Sequence, residues 1–207
     1  MSKQVATNIT WHEGHVDRPQ RYELLRQKGA TIWLTGLSAS GKSTIAFTAE
    51  HALVERGHLS YVLDGDNIRH GLGSDLGFSP KDRAENIRRV GEVAKLFADA
   101  GTICITAFIS PYREDRNMVR RILPEGRFVE VYVNAPLAVC EERDPKGLYA
   151  KARANEIREF TGISAPYEEP SNPEIELRTD QLTVAESVTR LLEFLETEPP
   201  EGRGSRA

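Results

Sequence analysis

The sequence predicts an α/β protein, a parallel five-stranded sheet flanked by helices on both faces. Three observations carry this. Five short apolar runs recur along the 207 residues. Helical patterns separate them, and a glycine-rich loop joins the first run to the first long helix. Alternating strand and helix implies a parallel sheet, because each crossover returns the chain across one face.

The first run, Thr31-Ile-Trp-Leu-Thr35, reads as a buried strand. Gly36-Leu-Ser-Ala-Ser-Gly-Lys-Ser43 follows, a complete G-x-x-x-x-G-K-S pattern, and then a helix from Thr44 to Glu55. Strand, loop and helix together make the setting of a phosphate cradle. Gly36, Ser38, Ala39, Ser40 and Gly41 turn backbone N–H groups inward to form an anion-binding concavity. The helix N-terminus at Thr44 adds partial positive charge there. Lys42 can reach the β- and γ-phosphates of a nucleotide, and the Ser43 hydroxyl suits a magnesium ion.

Further strands are expected over 59–63, 102–107, 128–133 and 174–178. The clearest helix spans 80–100, with Ser79 as cap, Pro80 in its first turn, and Ile87, Val90, Ala94 and Phe97 at helical spacing. Gly101 stops it. A last helix, about 183–196, opens on the capping box Thr183-x-x-Glu186. Residues 1–28 read as a polar arm, 29–196 as the domain proper and 197–207 as a disordered tail.

A net charge of −4 argues against a nucleic-acid coat or a polybasic membrane anchor. No run reaches the ~18 apolar residues of a membrane span. The polar N-terminus lacks the apolar stretch of a signal peptide, so a cytoplasmic location is expected. Cys104 and Cys140 both lie on apolar faces and read as reduced core residues.

In an open parallel sheet, ligands gather beyond the carboxyl ends of the strands. The second strand ends in Asp64-Gly-Asp-Asn67, so two carboxylates emerge beside the phosphate loop. Phosphoryl transfer needs one carboxylate to order the metal and an acceptor for the proton of the attacking hydroxyl. The sequence places Asp66 toward the hydroxyl and Asp64 toward the metal, without separating the two roles. Arginines then crowd the chain at Arg69, Arg83, Arg88, Arg89, Arg113, Arg116, Arg120 and Arg121. Such forks suit an anionic second substrate. Arg69 and Arg83 are the better placed; the helix pairs 88–89 and 120–121 read equally as solvated faces. Phe78 reads as a base-stacking slot or as core. Ser110-Pro-Tyr-Arg113 reads as a turn and helix cap, or places Ser110 near the phosphates. Residues 143–162 look like a lid carrying Arg143 and Lys146 over the phosphates.

These residues resemble the adenylyl-sulfate kinase family. The likeness rests on Thr35–Thr44, Leu63-Asp-Gly-Asp-Asn-Ile-Arg69, Asp75-Leu-Gly-Phe-Ser79, Glu85-Asn-Ile-Arg-Arg89, Phe108-Ile-Ser-Pro-Tyr-Arg113, Arg143-Asp-Pro-Lys-Gly-Leu-Tyr149 and Phe160-Thr-Gly-Ile163. It runs from about Thr7 to the last helix. It implies a P-loop kinase fold and transfer of the γ-phosphoryl group of MgATP to the 3′-hydroxyl of adenosine 5′-phosphosulfate (APS) in sulfate activation. A homodimer without a fused sulfurylase is also implied. By motif, Arg69, Arg83 and Asn86 would hold the phosphosulfate and ribose, and Phe78 and Phe160 would sandwich the acceptor adenine. Ile109, Lys146 and Leu148 would complete the acceptor site. Ser110 matches a family serine described as a phosphoserine intermediate. Asn155 and Ser164 stand where bacterial members often carry Gly and Asp. Another small-molecule P-loop kinase would explain the loop but not two aromatic slots with the arginine set. A non-catalytic nucleotide sensor would be expected to lose Lys42 or the aspartates.

Overall fold

The computed structural model describes residues 6–197. Strands β1 (Ala30–Thr35), β2 (Ser60–Asp64), β3 (Ile103–Ala107), β4 (Phe128–Asn134) and β5 (Ile175–Arg178) form one sheet, in the order β2-β3-β1-β4-β5. Every pairing is parallel. Each strand lies within one residue of its expected range.

Alternation along β1 sorts the core into two layers. Ile32 and Leu34 face α2 (Lys42–Glu55) and α8 (Val184–Thr197), packing with Ile45, Ala49 and Leu191. Trp33 faces α4 (Pro80–Asp99) and α5 (Arg113–Ile122), packing with Val90, Ala94 and Val119. Helix α4 starts where expected, with the Asp82 N–H donating to Ser79 Oγ at 3.2 Å. The α8 box also forms, the Glu186 N–H donating to Thr183 Oγ1 at 3.2 Å and the Thr183 N–H to Glu186 Oε2 at 2.8 Å.

The expected arm contains a helix, α1 (Arg18–Leu25), capped by Asp17. It docks by polar contacts: Arg18 and Arg21 reach Asp99 at 3.1 and 3.0 Å, and the Tyr22 hydroxyl donates to the Ala98 carbonyl at 3.2 Å. None of its residues is fully buried. The expected tail, beyond Thr197, lies outside the described residues. Cys104 and Cys140 are free and buried, as expected. Among the described residues no helix is long and apolar enough to cross a membrane.

The crossovers leave β1 in opposite directions, to β2 and β3 on one side and to β4 and β5 on the other. That reversal opens a crevice at the carboxyl end of β1.

Candidate active site

A cavity of about 990 Å³ fills this crevice, and residues Ser38 to Thr44 of the glycine-rich loop line one wall. Gly36 lies behind that wall with φ +153°, where a Cβ would stand 2.3 Å from the Val133 carbonyl oxygen. No other residue fits so close to β4. Gly41 adopts φ +104° as the N-cap of α2, leaving the first N–H groups of the helix open to an anion. The loop is braced from outside. The Tyr149 hydroxyl donates to Ser38 O at 3.0 Å and Thr179 Oγ1 donates to Ser40 O at 2.8 Å.

Lys42 turns its ammonium onto its own loop, donating to Leu37 O at 2.6 Å and Gly36 O at 3.0 Å. Burial lowers its pKa to about 8, with Asp64 and Asp66 opposing the fall. A nucleotide polyphosphate holds the lysine protonated, so binding above pH 8 takes up a proton and affinity declines with rising pH. Near and above pH 8 a fraction of a proton should be taken up per site. Titration calorimetry in two buffers of different ionisation enthalpy measures it. No uptake would show that Lys42 stays charged in the free protein.

Asp64 ends β2 and caps the short helix α3 (Gly65–Arg69), accepting from the Asp66 N–H at 3.0 Å. Its other oxygen accepts the Ser43 hydroxyl at 2.7 Å, so the expected metal pair is brought together. Among the described residues no cluster of three or more His, Cys, Asp or Glu could hold a metal. A hydroxyl and one carboxylate fit magnesium, which keeps its waters and takes its remaining ligands from phosphate. Asp66 stands at the cavity edge, where its carboxylate pairs with Lys146.

The acceptor wall comes from α3, α4 and the loop between them. The Arg69 guanidinium carbon lies 4.3 Å from the Phe78 ring centroid and that of Arg83 lies 5.8 Å from it. Phe78 is 62% exposed, so core packing is not its role. Arg83 also donates to the Phe78 carbonyl at 2.8 Å and to the Glu159 carbonyl at 3.0 Å, joining this wall to the lid. Asn86 is 3% exposed and lines the cavity, and its Oδ1 has no protein partner. Ile109 and Ser110 continue the wall from the end of β3. The other arginines are committed elsewhere. Arg88 forks onto Glu85, Arg89 onto Asp75 and Arg120 onto Glu174, Arg121 pairs with Glu114, and Arg116 is buried on Glu130. Arg113 donates to the Glu169 carbonyl at 2.6 Å.

The segment expected to form a lid begins at the end of α6 (Leu137–Arg143) and includes α7 (Leu148–Arg153). Arg143, Lys146 and Leu148 line the cavity. Arg143 donates to the Thr179 carbonyl at 2.6 Å and to Ala39 O at 3.4 Å, so it sits over the phosphate loop. Sequence reasoning missed Thr179, Leu182 and Val184, which line the cavity near Arg143. Their one signal is position, just beyond the carboxyl end of β5.

Phe160 departs from its expected place. It does not line the cavity and does not face Phe78; it is 7% exposed, edge-on to Tyr149 with centroids 5.0 Å apart. The turn after it decides this. Glu159 at φ +54° and Gly162 at φ +90° fold the chain back, and the ring joins Ala135, Cys140 and Ala152 in a small core beneath the lid. Phe160→Ala should therefore lower stability, by about 3–5 kcal/mol if the site does not collapse. A melting curve checks this beside the two KM values; unchanged stability with a raised acceptor KM would restore the stacking role.

Asn155 and Ser164 both sit in turns of the segment between α7 and β5. Asn155 adopts φ +58°, a conformation that asparagine tolerates next best to glycine. Ser164 Oγ accepts the Phe160 N–H at 3.0 Å, a contact an aspartate could also make.

The sequence model of the adenylylsulphate kinase family matches residues 28–178, most of the chain. The chain belongs to that family. An adenylyl-sulfate kinase of Staphylococcus carnosus is 60% identical over 91% of this chain and 95% of its own length. One from Marinobacter nauticus is 60% identical over 92% and 96%. Among solved structures, the Mycobacterium tuberculosis APS kinase CysC in complex with AMPPNP and APS is 48% identical with a TM-score of 0.79. That match covers 82% of this chain and 99% of the other. A sugar kinase from Janibacter, 21% identical with a TM-score of 0.53, shares the fold alone. The family's P-loop kinase fold is thus the one the sheet order displays.

Proposed function

We propose that this chain phosphorylates the 3′-hydroxyl of APS with ATP, giving 3′-phosphoadenylyl sulfate. One observation carries the reading: a single cavity joins the Lys42 loop, the Asp64–Asp66 pair and the Arg69–Phe78–Arg83 wall. The cradle and α2 N-terminus receive the donor phosphates, with Lys42 leaving its loop carbonyls to meet charge that develops in transfer. Arg143 stands at the donor end. Arg69 spends only Nη1 on the Leu76 and Gly77 carbonyls and keeps Nε and Nη2 for the phosphosulfate, Arg83 joins it by leaving the Phe78 and Glu159 carbonyls, and the exposed face of Phe78 offers a stacking plane to the adenine. Asn86 lines the same wall, within reach of the ribose. Asp66 accepts the proton of the attacking hydroxyl once Lys146 moves from its carboxylate to the phosphates.

Magnesium fits at Ser43 and Asp64, where it would draw charge from the transferring phosphoryl group. The same reading puts the enzyme in the cytoplasm. It also expects a homodimer, and the β2 edge supplies apolar area for one. There Leu59 and Tyr61 are 50% and 53% exposed, with Tyr61 stacked on Phe97 at 5.4 Å.

Incubation of the protein with MgATP and APS, following ADP release and the phosphorylated product, tests the activity directly. Turnover of gluconate, shikimate or a nucleoside monophosphate in preference to APS would overturn it. A monomer in sedimentation equilibrium would remove the dimer.

A further inference from the structure

Ser110 lines the acceptor side of the cavity, yet its polar atoms are tied back into the sheet. It is 2% exposed and adopts φ +38°, a left-handed conformation rare for a residue with a side chain. Such a conformation persists only where its surroundings over-determine it. Thr35 Oγ1 reaches the Ser110 carbonyl at 3.5 Å, and two further buried residues hold the turn more closely. The Trp33 Nε1–H donates to Ser110 Oγ at 3.1 Å, and the Arg116 guanidinium donates to the Ser110 carbonyl at 2.6 Å.

The sheet explains why both arrive at one residue. Trp33 on β1 and Glu130 on β4 are register partners, so their side chains leave the same face side by side. Trp33 is wedged between Phe108 and Phe128, with both ring centroids 6.0 Å away, which fixes the direction of its N–H. Glu130 accepts Arg116 Nε at 2.7 Å and orients the fork. The other arm of that fork donates to the Glu168 carbonyl at 2.7 Å, on the stretch by which the lid returns to the sheet. The Glu168 N–H donates to the Pro111 carbonyl at 2.8 Å, so the turn and the return of the lid are one unit.

We propose that Trp33 and Arg116, neither of which lines the cavity, are positioning residues for the acceptor: they clamp Ser110 in its left-handed turn and bind that turn to the stem of the lid. This rests on the kinase reading above. An acceptor held by Ser110 and its neighbours then depends on the clamp, whereas ATP, held by the loop after β1, does not.

Trp33→Phe tests the clamp gently, because it keeps an aromatic ring between Phe108 and Phe128 and deletes only the donor. The acceptor KM should rise roughly 3- to 10-fold, the worth of one hydrogen bond, while the KM for ATP stays within about twofold. In a Ser110→Ala background the same change should have no further effect, since the hydroxyl it held is gone. Arg116→Lys keeps the charge facing Glu130 but loses the fork, and should raise the acceptor KM at least as much. Equal effects on both substrates, or Trp33→Phe acting fully in the Ser110→Ala background, would overturn the proposal, whatever the stability of the Arg116 variant. Absence of APS turnover by the unaltered protein would instead overturn the kinase reading itself.

Discussion

Lys42→Ala should lower turnover by about 10²–10³, the scale on which one aimed charge stabilises a transition state. The lysine is held at the mouth of the α2 N-terminus by two carbonyls of its own loop, a reach that carries it to the terminal phosphates. Its stability effect depends on pH. Burial lowers the pKa of Lys42 to about 8, so at neutral pH folding opposes its charged form. That opposition is largest below pH 8 and fades as pH rises through 8 toward the unfolded value. The alanine variant loses the two loop hydrogen bonds as well, so its melting temperature should compare better with the parent's at pH 7 than at pH 9. Steady-state kinetics and a melting curve on one preparation separate the two effects. Near-native turnover would remove the case for phosphoryl transfer in this cavity.

Asp66→Asn should cut kcat by about 10²–10⁴, the range of a lost general base, and leave ATP affinity nearly unchanged. Asp66 is 66% exposed at the cavity edge, paired with Lys146, so the change removes a charge without unpacking anything. Asp64 is different in kind. It is 7% exposed, caps α3 and accepts from Ser43. Asn at 64 keeps an oxygen for the cap but turns away from a cation. Its activity should return in part with added magnesium, and that of the Asp66 variant should not. Turnover measured across a magnesium series distinguishes the two aspartates. Identical magnesium responses would merge their roles.

Much of the site was legible because its parts are local. The loop Gly36–Ser43 carries its strand, its turn and its helix within one stretch, and Asp64–Asp66 sit together where a strand ends. Arg69 is equally local, five residues beyond the end of β2. What stayed unreadable depends on partners far away in the chain. Helix α1 buries no residue fully and docks through Asp99, some eighty residues on. Thr179 joins the loop after β1 only because β5 lies two strands from β1 in the sheet.

The sequence by itself determined the fold class, the nucleotide loop and the carboxylate pair, since periodicity and short spacing fix these without reference to the rest. Only the tertiary structure decided which aromatic lines the cavity and what holds Ser110. Phe78 and Phe160 look alike as residues in glycine-bearing loops, but left-handed turns at Glu159 and Gly162 drop Phe160 into the lid core. Trp33 reads as one more apolar residue of a buried strand. Its indole N–H finds Ser110, 77 positions away, because β1 and β3 are neighbours and the chain turns left-handed just past the end of β3. Burial makes the direction of a polar atom matter, and sequence spacing carries no information about that direction.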